Sequence, residues 1–255
     1  MCRAALSAID TSADFPAIVT PALDVAVVIP ALDEAGNIGP VVAGLQAEGI
    51  DNIIVVDNGS TDNTADEAQM AGASVIREDR KGYGSACAAG TGAALESGAE
   101  IIVYIDADQS SRPNEVGLLI DPLRNDEADL VLGSRTRGTI AKGAMGPHQQ
   151  AGNIVSAALM RLLYRIEVTD LGPYRAIRAS LIRELAMTEM TFGWPTEMMV
   201  KAARRKMRIV EVPVSWDNRL LGDSKVGGTV KGSILAGYHI LRVTLRHAFR
   251  RKPAE

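Results

Sequence analysis

Apolar positions along the chain fall into two alternating rhythms. Short runs with little polar interruption occur at 24–29 (DVAVVI), 52–56 (NIIVV), 73–76 (ASVI), 101–105 (IIVYI) and 129–132 (DLVL). Their length and β-branched content predict buried strands. Between them, stretches at about 37–47, 63–71, 84–96 and 114–123 repeat apolar residues every three or four positions, the period of a helix laid on a sheet. Strand alternating with helix predicts an α/β chain, a mainly parallel twisted sheet flanked by helices. Such sheets bind ligands beyond the carboxyl ends of their strands, where the strand order reverses.

The rhythm changes after residue 133. GSRTRGTIAKGAMGPHQQAGN (133–153) is rich in glycine and basic residues and reads as a long mobile loop. Helical periods follow at 153–164, 178–187 and 195–205, then an alternating strand, RIVEVPVSW (208–216), whose proline suits a sheet edge. A last helix spans about 229–250. Val230, Ile234, Tyr238, Leu241, Leu245 and Phe249 form one stripe on it, and Arg242, Arg246 and Arg250 form a second. The expected division is a flexible tail (1–22), a main domain (23–228) and an amphipathic basic helix with its tail (229–255).

Composition narrows the class. The chain has 255 residues, 47% hydrophobic and 23% charged, which is the balance of a globular domain. Its net charge of −4 gives no basic footprint for nucleic acid. Two cysteines without CxxC spacing argue against a thiolate metal site and fit a reducing, cytoplasmic setting. The first twenty residues lack the pattern of a signal peptide, and no uncharged apolar run reaches membrane-spanning length. The last helix stands apart. From Thr229 to Lys252 there are six Lys or Arg and no acid, the pattern of a helix lying on an anionic membrane surface. A helix packed on the domain or on a second subunit is the alternative. Gly228 and Gly232, four apart, permit the close approach of a homodimer.

Polar clusters follow three strands: PALDEAGN (30–37), DNGSTDNT (57–64) and DADQSS (106–111). Asp106 and Asp108 alternate, so both can face one point past the strand end. Two carboxylates held together repel, and a cation between them relieves this. Taken singly, each cluster also reads as ordinary turn residues. There is no GxGxxG after the first strand and no GxxxxGK[ST], so a phosphate here would be held by metal and side chains.

VVIPALDEAGNI, VVDNGSTDNT, RKGYGSACAAG, IDADQS and LVLGSR resemble family 2 glycosyltransferases of the GT-A fold. DLGPYRAIR, GWPTEM and GDSKVGGT extend the resemblance toward dolichyl- or polyprenyl-phosphate sugar synthases. It implies a nucleotide-diphosphate sugar donor, Mg2+ or Mn2+, single-displacement inversion, and a polyprenyl phosphate or other membrane-associated acceptor. By position, Pro30, Leu32 and Glu34 would line the nucleotide pocket and Asp57 would read the base. Lys81, Gly82 and Ala107 would lie beside the donor. Asp106 and Asp108 would meet the metal, Arg135 the acceptor or phosphates, and Ser224 and Lys225 a closing segment. Two departures stand out: Asn58 replaces a frequent second aspartate, and Ser110 stands where Gln is common.

Glu197 in GWPTEM matches a general-base position, which an alcohol acceptor would need. It equally suits an acid in a helix's first turn. His148 reads as a loop residue near the acceptor or simply in solvent. Three other functions stay open at this stage: transfer to a soluble alcohol with Glu197 as base, a non-catalytic nucleotide-binding subunit, and a dinucleotide oxidoreductase, against which the missing glycine fingerprint counts.

Overall fold

The computed structural model describes residues 24–222 and 230–248. The tail 1–22, Ser224, Lys225 and Gly228 lie outside them. Seven strands form one sheet in the order β3-β2-β1-β4-β6-β5-β7. They are β1 (Val25–Ala31), β2 (Asn52–Asp57), β3 (Ser74–Arg77), β4 (Ile101–Tyr104), β5 (Leu130–Ile140), β6 (Arg175–Arg178) and β7 (Ile209–Trp216). All pairings are parallel except those of β6, which runs against both β4 and β5. The expected α/β class is therefore present, with a reversed strand inside the sheet.

Helices α1 (Ile38–Ala47), α2 (Thr64–Met70), α3 (Tyr83–Glu96) and α4 (Val116–Arg124) connect the first five strands. They are followed by α5 (Pro147–Tyr164), α6 (Ala179–Leu185), α7 (Trp194–Arg204) and α8 (Val230–Ala248). β1 shows why the sheet is buried on both sides. Val27 and Ile29 join one core with Val41, Leu45 and Leu119, whereas Ala26 and Val28 join the other with Ala86, Cys87 and Met198. α3 lies close because Gly90 faces the sheet; a Cβ there would come within 2.3 Å of Val28 Cγ1.

Two expectations change. The segment 133–153 is not a continuous loop: β5 runs on to Ile140 beside β7, and α5 starts at Pro147. Two of the glycines that suggested a loop, Gly133 and Gly138, serve close packing against β7, whereas Gly143 stands in a turn at φ +88°. A Cβ on Gly138 would stand 2.0 Å from the Val214 carbonyl oxygen. The sequence pattern also gives no strand at β6. That strand is four residues, RAIR, and its flanking arginines break the apolar run.

Candidate active site

The site is assembled at the carboxyl end of the sheet, where β1 is flanked by β2 and β4 and the strand order turns. The loop after β1 is sewn to the loop after β2. Asp33 Oδ1 accepts from the Thr61 amide at 2.7 Å, the Asp33 amide donates to Ser60 Oγ at 3.0 Å, and the Ala35 amide donates to Asp62 Oδ2 at 3.1 Å. Asp33 and Asp62 thus serve as fasteners, which satisfies loop amides that would otherwise be orphaned.

Beneath these loops lies a cavity of about 470 Å³. Pro30, Leu32, Glu34, Lys81, Gly82, Asp106, Ala107, Asp108 and Arg135 all line it, so the structure gathers nine residues expected at the site from four separate segments. Asn58, Tyr83, Gln149, Phe192, Trp216, Arg219 and Ile240 complete much of the wall. Asp57 is buried at the end of β2. Its carboxylate accepts from the Ser60 amide at 2.8 Å and faces Arg77 at 3.6 Å, one residue behind the lining Asn58.

The electrostatics centre on the two aspartates after β4. Burial pushes the Asp106 carboxyl up to about 7, and the charge of Asp108 adds to the rise. The Tyr83 hydroxyl, which donates to Asp106 at 3.3 Å, and Arg135 oppose it, while Glu34 pushes further upward. Asp108 is fixed by the amide and hydroxyl of Ser110 and by Arg219 Nη1 at 3.0 Å. Arg219 Nη2 also lies 2.6 Å from both Glu34 oxygens. Among the described residues no cluster of three or more His, Cys, Asp or Glu is arranged to hold a metal. Asp106 and Asp108 nevertheless offer hard oxygen donors in one cavity, and a cation would relieve the repulsion that raises Asp106. They would suit a hard divalent cation such as Mg2+ or Mn2+.

Arg135 is held rigidly. Its backbone amide, Nε and Nη2 all donate to the buried Asp170 carboxylate at 2.7 Å, and its guanidinium lies 4.7 Å from the Trp216 ring centroid. Behind it, the buried Arg175 donates to the carbonyls of Gly172, Pro173 and Pro195. Pro173 and Pro195 line the cavity, so one buried guanidinium braces two parts of its wall.

Asn58 explains its own departure from aspartate. Its Nδ2 donates to the carbonyls of Glu78 and Arg80, both at 2.9 Å, and its Oδ1 accepts from the Gly82 amide at 2.8 Å. Aspartate has no donor for those carbonyls. Asn58→Asp is expected to destabilise the fold by about 2 kcal/mol, read as a lower urea midpoint. The Lys81–Gly82 wall should loosen with it.

Glu197 is a correction. It is absent from the cavity lining, and its buried carboxylate points at the start of the loop before α7. It accepts from the amides of Thr188 and Glu189 at 2.8 and 2.7 Å and from the Thr188 hydroxyl at 2.7 Å. Lys201 Nζ lies at 2.9 Å and His247 Nε2 at 3.6 Å. Burial alone would raise its pKa, but the nearby His247 ring and the hydrogen bonds from Thr188 and Glu189 hold it well below the usual carboxylate range. An acid this strongly held is a poor proton acceptor. Of the two readings of His148 the structure fits the solvated one: it stands exposed in the first turn of α5, outside the cavity lining, and its neighbour Gln149 reaches the cavity.

A sequence profile described as Glycosyl transferase family 2 matches residues 26–186. An uncharacterized glycosyltransferase of Mycobacterium tuberculosis is 37% identical over 187 residues, covering 72% of this chain and 81% of the relative. A dolichyl-phosphate hexose transferase of Haloferax volcanii is 33% identical over 218 residues, covering 84% of this chain and 90% of that protein. Among solved structures, glucosyl-3-phosphoglycerate synthase of Mycobacterium tuberculosis, in complex with Mn2+, uridine diphosphate and phosphoglyceric acid, shares the fold. Its TM-score is 0.69 at 21% identity, over 90% of this chain and 80% of that one.

Proposed function

The chain belongs to glycosyl transferase family 2, and from that membership we propose that it moves a sugar from a nucleotide diphosphate to a polyprenyl phosphate, with inversion. The observation that carries this reading is the convergence of Asp106, Asp108, Glu34, Lys81 and Arg135 on one cavity. Asp106 and Asp108 would hold a divalent cation, which when bound supplies positive charge to the diphosphate as it leaves. Arg135, fixed by Asp170, presents a guanidinium to the cavity without having to reorganise.

In the transfer, an acceptor phosphate oxygen forms a bond to the anomeric carbon. The bond to the nucleoside diphosphate breaks, and the diphosphate keeps the electron pair. A phosphate monoester is largely anionic at neutral pH, so no side chain needs to take a proton. This agrees with the cavity. Its three carboxylates among the described residues, Glu34, Asp106 and Asp108, stand on the expected donor side, and Glu197 faces elsewhere. The orientation of Glu197 supports the phosphate acceptor over the soluble alcohol, for which Glu197 is the expected base. The dolichyl-phosphate relative supports a lipid-linked acceptor.

The C-terminal helix supports a membrane location. Leu235, Tyr238, Leu241 and Leu245 are exposed on α8, while Val243, Thr244 and His247 face inward. On α5, which packs against α8, Ile154, Val155 and Leu162 are exposed as well. No helix among the described residues is long and apolar enough to cross a membrane. An apolar stripe turned outward, with Arg246 exposed beside it, suits the surface of an anionic bilayer. Removal of residues 230–255 is expected to cut cosedimentation with phosphatidylglycerol vesicles by about tenfold. Full retention by the truncated chain would contradict the helix's role.

The function itself is tested with labelled UDP- and GDP-sugars offered to undecaprenyl phosphate in detergent, with Mn2+ or with EDTA. Metal-dependent appearance of label in the lipid fraction is the expected result. Labelled lipid formed equally in EDTA, or no lipid product from any donor, would overturn the proposal.

A further inference from the structure

We propose that Arg219 is a built-in counter-ion of the donor site, holding Glu34 and Asp108 so that the free chain takes up a divalent cation only together with a nucleotide diphosphate. This inference rests on the donor site read above and concerns what keeps that site closed to a bare ion.

The geometry is specific. Arg219 Nη2 stands 2.6 Å from each Glu34 oxygen, and Nη1 stands 3.0 Å from Asp108 Oδ2. All three side chains line the same cavity and are largely shielded, at 17%, 8% and 14% exposure for Arg219, Glu34 and Asp108. Charge pairs so shielded are weakly screened and interact strongly. One guanidinium thus engages Asp108, one of the two aspartates after β4, and Glu34, the acid that follows β1.

The arginine is carried by a strap that leaves the end of β7 and crosses these loops. The Asp217 amide donates to the Ser110 carbonyl at 2.8 Å, and the Asp217 carboxylate pairs with Arg112 at 2.6 Å. At the far end, Asn37 Nδ2 donates both to Glu34 at 2.9 Å and to the Leu221 carbonyl at 3.2 Å. Asn37 therefore joins the acid and the strap in one network. Leu221 packs against Gly36, where a Cβ would meet Leu221 Cδ1 at 2.7 Å.

A cation entering alone must compete with a guanidinium already seated on Asp108, and its gain is offset by the loss of that shielded charge pair, which leaves Arg219 with Glu34 alone. A cation arriving with a diphosphate brings excess negative charge. The released guanidinium then remains in a favourable field, and the exchange loses little. Binding of the two ligands is coupled through the chain's own charge.

The test measures Mn2+ uptake without turnover, by loss of the free-ion electron paramagnetic resonance signal. Arg219→Met is expected to bind bare Mn2+ about tenfold more tightly than the parent chain, a gain that a merely damaged site would not show. Asp108→Asn added to Arg219→Met should erase that gain. The parent chain should take up Mn2+ strongly only with UDP or GDP present. Unchanged or weaker bare-ion affinity in Arg219→Met overturns the proposal. Should that variant fail to fold, Arg219→Lys, which keeps the charge but loses the fork, should give an intermediate gain; parental affinity there overturns it equally. Nucleotide-assisted uptake by the parent with no gain in either variant removes the role of Arg219 alone. Absence of Mn2+ uptake by the parent with either nucleotide removes the donor-site reading as well.

Discussion

Asp108→Asn is expected to lower sugar transfer by about three orders of magnitude, ~4 kcal/mol in the barrier, with little change in melting temperature. The substitution keeps the side chain's shape. Asp108 Oδ1 accepts from the Ser110 amide and hydroxyl, and the amide oxygen of Asn can accept in its place. What disappears is one negative charge beside Asp106, and with it the ion pair to Arg219, which keeps both Glu34 oxygens. Burial and the neighbouring Asp108 charge push Asp106 up, so the buried Asp106 charge stays costly although Arg219 holds Asp108. With only one charged donor left, a divalent ion would be held loosely and the diphosphate would leave with less help. The check is steady-state transfer over a Mn2+ series, paired with a thermal melt. A near-parental rate at saturating donor would remove Asp108 from the chemistry. A large loss of melting temperature would assign its role to folding instead.

Glu197→Ala should act in the opposite way, through stability. It strips an acceptor from two backbone amides, a hydroxyl and Lys201, all near or inside the core. Breaking such a buried pair costs about 3 to 5 kcal/mol, which corresponds to a melting temperature lower by about 10 °C in a chain of this size. Glu197→Gln should fall between the two chains, because the amide keeps the shape but turns a donor toward other donors. If Glu197→Gln instead abolished turnover at an unchanged melting temperature, a general-base role would return. The pH dependence has a definite sign. The folded-state pKa of Glu197 is depressed, so its contribution is fully present above the unfolded value near 4.5 and is lost as pH falls below it. Glu197→Ala should therefore flatten the acid limb of the stability profile.

The acidic wall of the cavity was legible because its residues come soon after strand ends. In IIVYI then DAD the strand period suggests that Asp106 and Asp108 share a side, the family resemblance places Glu34 after VVIPA, and the structure puts all three in one cavity. Residues acting across long sequence separations were not legible. Arg219 meets Asp108 from 111 positions away and Glu34 from 185, and nothing in its local sequence marks it as a partner of either. Glu197 illustrates another limit. The motif around it fixed its place at the start of α7 but not which way its carboxylate faces. For β5, glycine was ambiguous, since the same residue serves a flexible turn and the close approach of two strands. The stripe on α8 was periodic in the sequence, yet periodicity cannot say whether a stripe faces the domain or away from it; Tyr238, Leu241 and Leu245 face away.

The reversed direction of β6 has a consequence for how this scaffold can diverge. A parallel strand delivers the residues that follow it to the binding rim, but β6 delivers those that precede it. Asp170, Gly172 and Pro173 thus approach from the incoming side, beside the end of β4 where Tyr104 pairs with Arg175. Two halves of one cleft are therefore written in unconnected stretches of chain, the first before residue 111 and the second after residue 130. Insertions or exchanges between residues 135 and 173 can reshape one wall and leave the backbone of the other untouched, so the two walls are free to diverge at different rates.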